Sequence, residues 1–319
     1  MKTKMAPIIL IIIVILVGIF LSGPRPELNA QLEPVVLPDN LDQYLAESEA
    51  QFTDIVPGTE KTIVWANAGK TKTPLAIVYL HGYSATRQEA APLCDQIAAQ
   101  LGANLFYTRL TGHGRGGPAM AEATANDWLN DATEALEIGK RLGDKVVVIG
   151  VSTGGTLAAW LATQSRDAVL AYVLMSPNFA PKDPAAQILT WPWAEQLVRV
   201  IVGPERSWEP LNDQQARYWT CRYPSKALLP MMSLVKYVRA LDLEAIRAPI
   251  LVIYSPNDQV VNPREVERAY ARFGSEVKEI KVITQSENPE SHVLAGDILA
   301  PGDTPAMAET ILAFVMRVK

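Results

Sequence analysis

The sequence predicts an α/β fold: a mostly parallel central sheet with helices on both faces and a helical cap inserted over one end. Three observations predict it. Aliphatic runs alternate with helical stretches over residues 62–175 and again from 249 to the C-terminus, as strands buried on both faces require. A serine flanked by glycines stands between one of those strands and a helix of small residues. The alternation is interrupted once, by residues 178–248, which are helical in pattern and carry Trp191, Trp193, Trp208 and Trp219.

The predicted strands cover 62–66, 75–80, 104–108, 145–149, 169–175, 249–254 and 277–283, where Val, Ile and Leu dominate. The predicted helices cover 41–52, 92–101, 127–142, 155–164, 263–273 and 304–318. Thr124-Ala125-Asn126-Asp127 is rich in capping residues, and Asp127 is read as a helix cap. The expected organisation is an N-terminal segment 1–23, a Pro-rich tether with a short helix over 24–56, and a globular domain over 57–319 with its cap at about 178–248. In open parallel sheets ligands bind at the C-terminal strand ends, so a cap there would roof the site.

With 319 residues, 49% hydrophobic and 20% charged, the chain has ample material for a core. A net charge of −5 gives no electrostatic basis for binding nucleic acid. Residues 5–21 are almost entirely apolar and follow Lys2 and Lys4. They predict a membrane anchor, with a cleaved signal peptide as the alternative; Pro24 and Pro26 argue against cleavage. Either reading puts the bulk of the chain outside the cytoplasm, tethered to the membrane or secreted. Cys94 and Cys221 are read as two free thiols, with a disulfide as the less favoured option.

The chemistry centres on Gly150-Val151-Ser152-Thr153-Gly154, directly behind Lys145-Val146-Val147-Val148-Ile149. A buried strand feeding G-x-S-x-G and then a helix is the layout of a nucleophile elbow, where a tight turn lifts the serine above the sheet. A serine hydroxyl needs a base, and the chain has three histidines. In this architecture the order is Ser, acid, His, which selects His292 from the loop after the last strand. Asp258, in the loop after the first strand beyond the cap, is the expected acid; Asn257 cannot hold the charge, and Asp297 comes after the histidine. The backbone N–H groups of Tyr83 and Thr153 are the expected donors to a tetrahedral oxyanion. Trp191 and Trp193, with Met231 and Met232, would give the cap an apolar underside; packing alone is the competing role for the tryptophans.

Five pieces carry a resemblance: Leu80-His81-Gly82-Tyr83, Arg109-Leu110-Thr111-Gly112-His113-Gly114, the pentapeptide around Ser152, Ser255-Pro256-Asn257-Asp258, and Ser291-His292. From about residue 62 to 318 the chain resembles capped serine α/β-hydrolases of the esterase and monoacylglycerol-lipase type. That resemblance implies hydrolysis of a small-molecule or lipid ester through an acyl-enzyme, and it makes His113 an architectural neighbour of the substrate pocket. Thr111 stands where members often have Pro. The same triad acting on an amide, thioester or carbon–carbon bond is the enzymatic alternative, and a non-catalytic binding protein on this fold is the other.

Gly112-His113-Gly114-Arg115-Gly116-Gly117 also satisfies G-x-G-x-x-G, but Pro118 follows where a dinucleotide site needs a helix to open. No nicotinamide or flavin cofactor is expected. Without H-E-x-x-H or paired cysteines, no metal is implied.

Overall fold

The computed structural model describes residues 5–164 and 167–319, excluding the side chains of 5–7. Seven strands form one sheet: β1 (Thr62–Val64), β2 (Thr73–Leu80), β3 (Asn104–Tyr107), β4 (Gly143–Val151), β5 (Val169–Met175), β8 (Ile250–Tyr254) and β9 (Lys278–Val282). Their order is β1-β3-β2-β4-β5-β8-β9, with only β1 antiparallel to its neighbour. Strands β6 (Glu205–Ser207) and β7 (Arg222–Pro224) pair separately as an antiparallel hairpin, inside the segment that the sequence presents as helical.

The central strands are apolar on both sides because both sides are covered. Ala76, Val78 and Leu80 of β2 join a core with α4 (Ala125–Leu142) and α5 (Thr153–Thr163). Leu75, Ile77 and Tyr79 join a second core with α3 (Leu93–Leu101) and α10 (Thr304–Val318). Helix α5 is buried along almost its whole length, so its sequence shows no polar face. At the start of α4, Thr124 is the N-cap and Asp127 completes a reciprocal capping box three residues on, which corrects the reading of Asp127 as the cap itself.

Between β5 and β8 lie α6 (Ala194–Ile201), α7 (Asp213–Tyr218) and α8 (Leu228–Ala240), with the β6–β7 hairpin among them. The segment reaches the sheet's C-terminal end: Thr220 N–H donates to Ser84 O at 2.7 Å, and the Tyr223 ring lies 5.6 Å from that of Tyr83. Beyond it, α9 (Pro263–Arg272) covers β8.

The N-terminal part holds α1 (Met5–Leu21) and α2 (Leu41–Glu49). Leu41 and Leu45 of α2 enter the first core. The expectation of a membrane anchor, and of an extracytoplasmic location resting on it, is corrected: among the described residues no helix is long and apolar enough to cross a membrane. Helix α1 has 17 residues, about 25 Å at 1.5 Å each, short of a hydrocarbon core of about 30 Å. Its C-terminal end is closed: Gly23 lies against the Trp193 indole, and Pro24, which has no N–H to continue a helix, accepts the Trp193 backbone N–H at 2.8 Å. Cys94 is buried, Cys221 half-buried, and both are free thiols.

Candidate active site

Ser152 occupies the turn between β4 and α5 with φ 53° and ψ −114°, a backbone state that costs a non-glycine residue about 1–3 kcal/mol. The surroundings hold it there. Its N–H donates to Met175 O at 2.9 Å, and its carbonyl accepts from Thr156 N at 3.1 Å and Asn178 N at 3.0 Å. Glycine is obligatory at 154, where a Cβ would stand 1.9 Å from Leu80 O. The Ser152 hydroxyl has no hydrogen-bond partner among the described residues; catalytic hydrogen bonds of this kind often tighten only around substrate.

His292 and Asp258 come together from separate loops. The carboxylate accepts the His292 Nδ1 hydrogen through Oδ2 at 2.8 Å, while Oδ1 accepts Val260 N–H at 2.8 Å and Val261 N–H at 2.9 Å. Asp258 is 1% exposed, and these three bonds satisfy the charge where water cannot. An acceptor at Oδ2 requires the hydrogen on Nδ1, which leaves Nε2 as the basic nitrogen. Burial acts to lower the His292 pKa, but the charge and hydrogen bond of Asp258, with Glu89 and Glu290 nearby, outweigh it and leave it above the ordinary imidazole value.

Serine and histidine are fixed to adjacent residues of one strand end. Met175 O takes the Ser152 N–H, and the next residue, Ser176, donates its hydroxyl to His292 O at 2.6 Å. Ser176 N–H in turn donates to Ile253 O of β8 at 2.7 Å, four residues before Asn257 and five before Asp258. Ser152 and His292 are each 7% exposed. Two cavities, about 640 and 460 Å³, open at the rim between the inserted segment and the core, and neither is lined by Ser152.

Tyr83 N–H and Thr153 N–H both lack a partner among the described residues, so both are spare donors. Gly82, before Tyr83, stands against Ser152: a Cβ on it would lie 3.3 Å from Ser152 Cβ. His81 Nε2 accepts Leu110 N–H at 3.0 Å, so its Nδ1 donates to Gly82 O at 2.9 Å. Burial, reinforced by His113, pushes the His81 pKa well below its ordinary value. His113 is brought beside the Tyr83 loop, its ring 5.7 Å from Tyr83 and 5.6 Å from Trp128; burial lowers its pKa to about 4, so it is neutral.

Trp191 and Trp193 are not brought to the serine. Trp191 is 48% exposed and packs edge-on against Phe20, while the Trp193 indole N–H donates to Ile19 O and Phe20 O. Met231 and Met232 are buried, and Asn178 Nδ2 lies 3.3 Å from Met231 Sδ. Sequence reasoning missed Ser176 and Asn178, whose only signal is their place just after a predicted strand. It also missed Glu89, which sits in a polar loop with no signal at all. Among the described residues no cluster of three or more His, Cys, Asp or Glu could hold a metal ion.

A strained serine at a strand–helix turn, under a segment inserted between β5 and β8 of this sheet, defines an α/β-hydrolase. The chain belongs to the family described as serine aminopeptidase, S33, whose model matches residues 71–287. It is a family of lipase- and esterase-like serine hydrolases. A thermostable monoacylglycerol lipase from Bacillus sp. (strain H-257) is 27% identical over 244 residues, covering 76% of this chain and 91% of that one. Solved structures share the fold. One, from work on the metagenome-derived lipolytic enzymes LipS and LipT, superposes with a TM-score of 0.68 at 23% identity, over 82% of this chain and 99% of that one. The monoacylglycerol lipase of Paleococcus ferrophilus gives 0.59 at 16% identity, over 82% and 100%.

Proposed function

We propose that the chain hydrolyses carboxylic esters through an acyl-enzyme, with residues 57–319 as the catalytic unit and 178–248 as its cap. Ser152 Oγ attacks the acyl carbonyl as its proton passes to His292 Nε2. Asp258 keeps the Nδ1 hydrogen and stabilises the imidazolium without taking a proton. Tyr83 and Thr153 N–H groups hold the oxyanion. The carbon–oxygen ester bond then breaks, and the alcohol leaves with the proton from His292. Water repeats the sequence on the acyl-Ser152 ester, giving a carboxylic acid and free enzyme.

The observation that carries this reading is the strained Ser152 and the His292–Asp258 pair held on consecutive residues, Met175 at the end of β5 and Ser176 just beyond it. The buried Met231, against Asn178 just after β5, supports an apolar acyl chain. The monoacylglycerol lipase named among the relatives makes a lipid ester the first class to assay.

Turnover of p-nitrophenyl esters of graded chain length, with fluorophosphonate labelling lost in Ser152→Ala, is the expected result. No ester turnover, or labelling that survives Ser152→Ala, refutes it. The family's description as an aminopeptidase supports a second reading, an amide substrate, which aminoacyl p-nitroanilides test directly.

A further inference from the structure

Glu89 is a buried carboxyl that the reaction sequence leaves unused. It ends a short 3-10 turn (Arg87–Glu89) whose N-cap is Thr86, and it is 2% exposed. Its side chain folds back toward the turn after β2. There Oε1 accepts the Gly82 N–H at 2.6 Å and the Tyr79 O–H at 2.9 Å. The Oε2 atom would lie 2.9 Å from a Cβ on Gly82, and that same Cβ would lie 3.3 Å from Ser152 Cβ. Gly82 is therefore wedged between the Glu89 carboxyl and the nucleophile, with room for no side chain.

Glu89 and His81 together clamp this glycine. Glu89 takes its N–H, while its carbonyl accepts from His81 Nδ1 at 2.9 Å and Ala85 N at 3.3 Å. A peptide unit is planar and trans, so fixing the Gly82 carbonyl fixes the direction of the Tyr83 N–H on the opposite side. One residue past Ala90, Ala91 O accepts Asp297 N–H at 2.9 Å, which ties the turn to the loop that carries His292.

Resting on the ester-hydrolase reading above, we infer that Glu89 is a positioning residue: its carboxyl group aims the Tyr83 amide at the oxyanion and, once ionised, sets a second negative charge near His292. Burial raises the Glu89 pKa to about 7, against the opposing effect of the Gly82 and Tyr79 hydrogen bonds and the charge of His292. The titratable groups facing this carboxyl are Tyr79 from β2, Cys94 from α3 and His292; His292 itself also faces Asp258 and Glu290.

The test compares full-length wild type, Glu89→Ala and Glu89→Gln on p-nitrophenyl butyrate across pH, with active sites counted by fluorophosphonate titration. Losing one oxyanion donor costs about 10²–10³ in turnover, so a misaimed Tyr83 amide in Glu89→Ala is expected to lower kcat about 10²-fold with KM within about threefold. Glu89→Gln keeps an acceptor for Gly82 and Tyr79 and is expected to regain at least about tenfold of that loss. Its acid limb moves to lower pH, because His292 loses a neighbouring negative charge.

A packing role alone would lower the melting temperature without separating kcat from KM, and would leave the Glu89→Gln limb in place. The inference falls if Glu89→Ala stays within about tenfold of wild-type kcat, or if Glu89→Gln is as impaired as Glu89→Ala. If Glu89→Ala does not fold, Glu89→Gln decides: a shifted limb supports the role and an unmoved limb overturns it. Wild-type turnover separates the two levels. No ester turnover by the unchanged chain refutes the ester reading and this one with it, whereas turnover that survives Glu89→Ala refutes the positioning role alone.

Discussion

Replacing Asp258 by Asn isolates the electrostatic half of the His292–Asp258 pair. In the wild type, Oδ1 accepts two backbone amides and Oδ2 accepts the Nδ1 hydrogen at 2.8 Å. An asparagine keeps its single carbonyl oxygen for Val260 and Val261 N–H, which turns its NH₂ toward His292. That NH₂ can only donate, so Nδ1 must become an acceptor and the ring hydrogen moves to Nε2. The nitrogen that should take the Ser152 proton is then already protonated. A tautomer error of this kind lowers kcat by about 10⁴, equivalent to about 5 kcal/mol of transition-state stabilisation. Active-site-titrated kcat on a p-nitrophenyl ester measures it, and circular dichroism checks the fold. The acid limb of kcat/KM, which lies above the ordinary imidazole value in the wild type because His292 is raised, should shift to lower pH. A loss of less than about tenfold with the limb unmoved would refute the assigned roles of both residues.

Other outcomes follow from the same geometry. Gly154→Ala drives a Cβ to 1.9 Å from Leu80 O, so it should abolish fluorophosphonate labelling through displacement of the elbow; retained labelling would show that the turn can relax. Arg109 and Glu49 form a buried two-bond pair at 2.8 and 2.9 Å. Arg109→Met strands the carboxylate and should cost about 3–5 kcal/mol in urea unfolding, and adding Glu49→Met should recover most of it. Glu89 has a folded pKa of about 7, raised from 4.5. Its contribution to stability is full below pH 4.5 and is lost as pH rises to 7, on the order of 3 kcal/mol. The melting-temperature difference, Glu89→Gln minus wild type, should therefore grow between those values and level off above them; a flat difference contradicts the buried ionisation.

The sheet was legible because its central strands are buried on both faces and read as unbroken aliphatic runs. Strand β5 and helix α10 coincide with their predicted limits, and most other elements fall within one to three residues. The β6–β7 hairpin was not legible: at three residues per strand, and with β6 exposed along its length, it leaves no periodicity to read. Ser152, His292 and Asp258, the residues proposed for the chemistry, were singled out by chain order, and of these the structure pairs His292 with Asp258 and puts Ser152 in the strained turn after β4. Trp191 and Trp193 could not be placed, since which side of an inserted segment meets the sheet depends on what packs on its other side. Here that is residues 19–24, which contact both tryptophans.

Glu89 shows most clearly why part of such a site stays hidden in a sequence. A side chain that serves a neighbouring backbone N–H answers to no residue type at the other end, so no pair of letters marks it. Ser176, donating to the His292 carbonyl, is the same case. Side chains that touch substrate are constrained by chemistry and recur as motifs, while those that hold the backbone in place are constrained only by position. For Glu89 that position is the one carboxylate oxygen shared between Gly82 N–H and Tyr79 O–H, both ultimately set by where β2 ends.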